Sequence, residues 1–261
     1  MKQKFGNQFI LVLSISLTLF ACNQQGTKEE QTKTTDSTEV AKTEAVQPAS
    51  QDAAPDAVKV APNLYKVASD TLGIRVLEAT YKPGDSSALH SHPDNAIYVA
   101  ETGTAEFTDK DGKKTVIELK KGMTMVRPVD LHTVKNTGKT TMKVILVEVN
   151  RPKETISQDA AMDATKVAPA LYKLKNDSLG IRVLEITYKP GQSSALHSHP
   201  DNALYVIEGG KMEFTEKDGT KMVGEFKKGV IMVRPGGVHS VKNIGNTTLK
   251  AILVEVNRPR S

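Results

Sequence analysis

The chain has 261 residues, 38% apolar and 25% charged, an ordinary globular balance with length enough for one large or two small domains. Its formal charge of +5 is spread over mixed Lys and Glu with no basic stripe interleaved with aromatics, which argues against a nucleic-acid surface. No Trp occurs and aromatics are 5% of residues, so a broad aromatic ligand platform is also excluded, and no phosphate-binding Gly-rich loop, nucleophile elbow or Cys-x-x-Cys is present.

The N-terminus reads as an export signal. Met1–Lys4 is short and basic, and Phe9–Phe20 is apolar but too short to span a bilayer as a stable helix. Loss of Lys2 and Lys4 with the signal would bring the charge from +5 to +3. The run ends in "LFAC", Leu19–Cys22, which resembles the lipobox of bacterial lipoproteins, although Phe20 is not the small residue usual there. Cys22 is the only cysteine and has no partner for an internal disulfide, so lipid attachment is the role the resemblance gives it. An ordinary cleaved signal with an incidental Cys is the plainer alternative. Residues 1–21 are then a signal peptide, and the chain is expected to be lipid-anchored in the cell envelope. Asn23 in place of Asp leans towards the outer membrane where a cell has one. Residues 22–55 are rich in Gln, Thr, Glu, Lys and Ala and cannot bury enough surface to offset ordering. A flexible tether reaching about 30 Å is expected there.

From Asp56 onward the chain says the same thing twice. Asp56–Pro152 aligns with Asp163–Pro259 at an offset of 107 without a gap, and 69 of the 97 positions are identical. That is an internal duplication, and it divides the chain into residues 56–152, an exposed connector over 153–162, and residues 163–261. Within each copy, "IRVLEATY" (Ile74–Tyr81) or "IRVLEITY" (Ile181–Tyr188) has the β-branched content of a half-buried strand. "AIYVAE", "MTMVRP", "LHTVKN" and "KVILVEVN" supply further short runs, and "KDGK" and "KDGT" hold the Asp-Gly pair of a tight hairpin. No long 3.6-residue apolar period occurs. Many short strands with regular turns predict an all-β barrel or sandwich in each copy.

All six histidines fall at matching places: His90, His92 and His132, then His197, His199 and His239. Residues i and i+2 of a strand share a face, so each His-Ser-His presents two imidazoles side by side. Such a pair supplies two of the nitrogens a metal ion needs, and a third must come from another strand.

These spacings resemble the two motifs of the cupins. Gly84, five residues, His90-Ser-His92 and later Gly103 match the first motif, as do Gly191, His197-Ser-His199 and Gly209. Gly122, Pro128, His132 and Asn136 match the second, as do Gly229, Pro235, His239 and Asn243. The resemblance implies two tandem cupin-type jelly-roll β-barrels, a bicupin paired within one chain so that strand edges are covered. It implies one metal site from His90, His92 and His132 and another from His197, His199 and His239, hence two divalent transition metal ions per chain (Fe, Mn, Ni, Zn or Cu). The family's fourth ligand is a Glu, but here the position holds Asn95 or Ala96, and Asn202 or Ala203, with Asp94 and Asp201 adjacent. Three readings stay open: a three-His site with open positions, an Asp that swings in, or a scaffold that has lost its metal.

Other polar residues recur in both copies. Arg127 and Arg234 could clamp a substrate carboxylate, and Tyr98 and Tyr205 could donate to a bound oxygen, although both pairs also suit a barrel rim. The paired serines Ser86–Ser87 and Ser193–Ser194 lie in a loop with no matching oxyanion arrangement. The expected function is that of a metal-dependent small-molecule enzyme of the dioxygenase-like type. Oxalate-type manganese chemistry is disfavoured because the Glu is missing. The alternative is a non-catalytic envelope protein that binds a small ligand or metal. Oligomeric state is left open.

Overall fold

The computed structural model describes residues 55–261; the expected signal, Cys22 and the tether to residue 54 lie outside the described residues. The first copy opens with a single helical turn, α1 (Ala57–Val60), capped by the Asp56 carboxylate, which accepts from Val58 N at 2.8 Å. Nine strands follow: β1 (Tyr65–Thr71), β2 (Ile74–Tyr81), β3 (His90–His92), β4 (Asn95–Glu101), β5 (Gly103–Asp109), β6 (Lys114–Leu119), β7 (Thr124–Arg127), β8 (Asp130–Asn136) and β9 (Met142–Val149). The second copy repeats them after α2 (Ala164–Val167): β10 (Tyr172–Ser178), β11 (Ile181–Tyr188), β12 (His197–His199), β13 (Asn202–Glu208), β14 (Gly210–Glu216), β15 (Lys221–Phe226), β16 (Ile231–Arg234), β17 (Gly237–Asn243) and β18 (Leu249–Val256).

Each half is a two-sheet antiparallel jelly roll. A five-stranded sheet runs β1-β2-β9-β4-β7, facing a four-stranded sheet β3-β8-β5-β6, and the second half has the equivalent orders β10-β11-β18-β13-β16 and β12-β17-β14-β15. Asp111-Gly112 turns the β5–β6 hairpin with Gly112 at φ 81°, as the Asp-Gly signal predicts. The β1–β2 hairpin is tighter and less comfortable: Leu72 takes φ 56° and Gly73 φ 66°, with Leu179 and Gly180 the same in the second half. Leucine resists that backbone region, and a buried guanidinium offsets part of the cost. Arg151 Nε donates to Leu72 O at 2.8 Å, and Arg258 Nε to Leu179 O at 2.8 Å.

The five-stranded sheets are buried on both faces. Leu77, Ala79, Tyr81, Val99 and Leu146 point into the first barrel, and Leu184, Ile186, Tyr188 and Leu253 into the second. The alternate residues form a third core between the halves: Ile74, Val76, Ala96 and Val147 meet Ile181, Val183, Ala203 and Val254. This is why "KVILVEVN" reads as an unbroken apolar run rather than an alternating one.

The contact between halves is self-complementary, as a duplicated chain folded about a pseudo-two-fold axis requires. Arg151 Nη2 meets Asp201 Oδ2 at 2.6 Å, and Arg258 Nη2 meets Asp94 Oδ2 at 2.6 Å. The remaining oxygens accept from backbone N–H groups, Asp94 Oδ1 from Val129 and Asp201 Oδ1 from Gly236. Both aspartates are thus held away from the histidines, which corrects the one of the three open readings in which they swing in as ligands. Tyr98 and Tyr205 are corrected likewise. Strand parity points them, with Ala96 and Ala203, into the core between the halves, where their rings lie 5.4 Å apart.

One glycine is also corrected. Gly210, not Gly209, is the counterpart of Gly103: a Cβ on Gly103 would strike Met142, and one on Gly210 would crowd Leu249, its equivalent. Residues 153–162 are mostly exposed and are pinned at two points, Ile156 N donating to Asn257 O and Met162 O accepting from Ser198 N.

Candidate metal centre

The sheet register brings the imidazoles together. Strand β3 pairs antiparallel with β8, so His90 sits opposite His132, and His92 projects on the same face as His90 two residues on. One nitrogen from each of the three lies within 4.8 Å of the others, and His197, His199 and His239 repeat the arrangement on β12 and β17. Each set could hold a metal ion.

The outer hydrogen bonds fix ring orientation. His92 Nδ1 lies 2.7 Å from Glu148 Oε1, and His199 Nδ1 lies 2.6 Å from Glu255 Oε1, so each ring donates its Nδ1–H to a buried carboxylate. Glu148 in turn pairs with Arg75 at 2.5 Å, and Arg75 with Asp56 at 2.6 Å. The second half has Glu255–Arg182 and Arg182–Asp163, both at 3.0 Å. A carboxylate behind a ring of this kind sets the tautomer and raises the basicity of the other nitrogen. That other nitrogen, His92 Nε2, is buried and has no partner within the protein. An orphaned imidazole nitrogen beside two more histidines fits a divalent metal of the imidazole-binding group.

His90 is held differently. Its Nδ1–H donates to Ala88 O at 2.8 Å, and Tyr65 OH lies 3.0 Å from its Nε2, in donating position. Tyr81 OH donates to Tyr65 OH at 2.8 Å, and His197, Tyr172 and Tyr188 repeat the relay. Burial pushes the Tyr65 and Tyr172 hydroxyls well above their ordinary pKa, so both remain donors at neutral pH. Burial also pushes His90 and His197 down to about 4, and burial with the neighbouring His199, His197 and Arg234 charges pushes His239 down to about 3. These three imidazoles are therefore neutral, the form a metal requires.

Of the two positions at which a fourth ligand was sought, Asn95 faces the cavity and Ala96 the other half. Asn95 Nδ2 donates to Pro93 O at 2.8 Å, while its buried Oδ1 has no partner. Arg127 and Arg234 line the two cavities and lie over Phe107 and Phe214, at 5.4 and 5.2 Å from the ring centres. Ser87 and Ser194 are structural, their hydroxyls accepting from Val134 N and Val241 N. Sequence reasoning missed Tyr65 and Tyr172, while Glu148 and Glu255 stand out in the sequence only as acids within an apolar strand.

Two jelly rolls in one chain, each with three converging imidazoles inside, define a bicupin. The chain belongs to the cupin family: the Cupin domain model matches residues 77–148 and again 184–255. An uncharacterised protein of Methanocaldococcus jannaschii is 32% identical over 116 residues, covering 43% of this chain and 86% of that protein. Among solved structures, AerE from Microcystis aeruginosa is similar with a TM-score of 0.54 at 16% identity, over 74% of this chain and 91% of that one. An oxalate decarboxylase of Bacillus subtilis is similar with a TM-score of 0.50 at 15% identity, over 72% and 70% of the two chains.

Proposed function

We propose that this chain is a metal-dependent bicupin that acts on a small molecule, with an oxidation of the dioxygenase-like type as its chemistry. The observation that carries the metal reading is His92 Nε2, buried without a partner while its Nδ1 is tied to Glu148. Bound at His90, His92 and His132, and at His197, His199 and His239, a divalent ion would polarise substrate oxygens. The protein's own groups then have defined tasks. Glu148 and Glu255 hold the second imidazole of each pair in one tautomer, and burial keeps bulk water from His90 and His197. Tyr65 and Tyr172 keep a phenolic proton beside His90 and His197.

The test is an oxygen-electrode and substrate screen on protein reconstituted singly with Fe(II), Mn, Ni, Zn or Cu. Catalytic consumption with one redox metal, lost in a variant lacking both His132 and His239, supports the reading. Stoichiometric uptake alone would instead support a non-catalytic binding protein. That alternative is favoured by Tyr65, whose hydroxyl already satisfies His90 Nε2 without an ion. Export and lipid attachment at Cys22 complete the proposal, resting on the basic and apolar N-terminal segments and "LFAC". Metabolic labelling with palmitate should mark the wild type and not Cys22→Ala.

A further inference from the structure

The two halves differ at the mouths of their cavities. The second half encloses about 250 Å³ in front of His199 and His239, and the first only about 40 Å³ in front of His92 and His132. The residues before the third histidine differ as well, for Val129-Asp130 in the first half is Gly236-Gly237 in the second. Asp130 pairs with His92 across the strands, and Gly237 pairs with His199 in the same register.

Asp130 closes the first mouth with a charge. Its Oδ2 lies 2.7 Å from Arg127 Nη2 and 3.1 Å from His132 Nδ1, the latter near enough for attraction but out of line for a hydrogen bond. Gly237 supplies no carboxylate, and Arg234 makes no ion pair among the described residues. Glu216, the one acid lining that cavity, is not within ion-pair distance of it. The rest of the wall is largely apolar, including Leu204, Met212, Phe214 and Phe226.

We propose that the second half is the ligand-binding half and takes a small monocarboxylate with an apolar body, whose charged group pairs with Arg234 where Asp130 pairs with Arg127 in the first half. Asp130 is in effect a built-in copy of the ligand's carboxylate, and it marks where that group sits: between the arginine and the third histidine. This deepens the enzyme reading by naming a substrate class, and rests on that reading only for what happens to the ligand afterwards. It also assigns the first half a structural or purely metal-holding role.

Equilibrium dialysis of the full chain against hexanoate, with hexanamide as its neutral analogue, tests the assignment. Hexanoate should bind at one equivalent per chain and at least about tenfold more tightly than hexanamide, the scale of a charge-assisted pair. Gly237→Asp should weaken it by about tenfold or more, since it places a carboxylate beside Arg234. A Cβ at Gly237 meets nothing within 4 Å, so this variant should fold. Asp130→Gly should leave that binding intact, since it alters only the first half. Equal affinity for acid and amide, unchanged affinity in Gly237→Asp, or no hexanoate bound at about 10 mM would overturn the proposal. Metal content measured on the same samples separates the failures. Absence of metal strikes the enzyme reading, and absence of charge discrimination in metal-bearing protein strikes this one.

Discussion

Replacing Arg258 by Met should cost about 3 to 4 kcal/mol, because it removes one partner of an ion pair that is shut away from water. The side chains of Arg258 and Asp94 are 2% and 1% exposed and meet at 2.6 Å. Without the guanidinium, Asp94 keeps the Val129 N–H and a 3.5 Å approach from Lys153, which is 70% exposed and so compensates weakly. The Leu179 carbonyl, in its strained turn, loses its donor as well. Methionine restores much of the buried stem, which keeps the cost from rising further. The symmetry-related Arg151→Met should cost less, about 2 kcal/mol, because Asp201 retains Arg260 at 2.7 Å on both oxygens. Urea unfolding followed by far-ultraviolet circular dichroism gives both values from the midpoints, provided the slope is unchanged. For about 200 folded residues the Arg258 change corresponds to a melting shift of about 6 to 12 °C. A cost under about 1 kcal/mol for Arg258→Met, or a larger cost for Arg151→Met, would refute the view that these pairs lock the halves.

Three further outcomes are expected. Glu148→Gln should lower metal affinity in the first half by about 10 to 100-fold while the fold persists, read by chelator competition, because a neutral amide holds the His92 Nδ1–H, and so the ring's orientation, less firmly than a carboxylate. Leu179→Asn should raise stability by about 1 kcal/mol, since asparagine tolerates φ near 55° and the leucine it replaces is 39% exposed. Acid should weaken the fold through Asp56 and Asp163. Burial opposes their charge, but the Arg75 hydrogen bond on Asp56, and those from Thr165 and Arg182 on Asp163, hold both pKa values below the ordinary one. A carboxylate with a depressed folded pKa contributes fully above its unfolded value near 3.9 and loses that contribution as pH falls through the folded value. The Asp56→Asn, Asp163→Asn double variant should therefore show a flatter decline in stability below about pH 4 than the wild type.

The duplication, the jelly rolls and the six histidines were legible in the sequence because they rest on repetition and on a two-residue period. What was not legible depends on parity and on distance along the chain. Asn95 and Tyr98 stand in one short strand, and only the sheet pairing shows that the first faces the cavity and the second the other half. Asp94 lies two residues from His92 and still turns away, because its partner Arg258 is 164 residues distant. Tyr65 reaches His90 from the start of β1, where nothing local distinguishes it from a core tyrosine. The contrast of Asp130 with Gly237 was visible in the aligned copies, but as a difference, and attention to identities passes over it. The aspartate gains its meaning only when Arg127 is seen beside it.

The most direct test of the account is metal stoichiometry by inductively coupled plasma mass spectrometry on metal-replete chain, with His132→Ala, His239→Ala and the double variant alongside. Three imidazoles around each of two points predict two equivalents in the wild type, one in each single variant and none in the double. A wild type that retains no metal, or a double variant that still holds two, would contradict it.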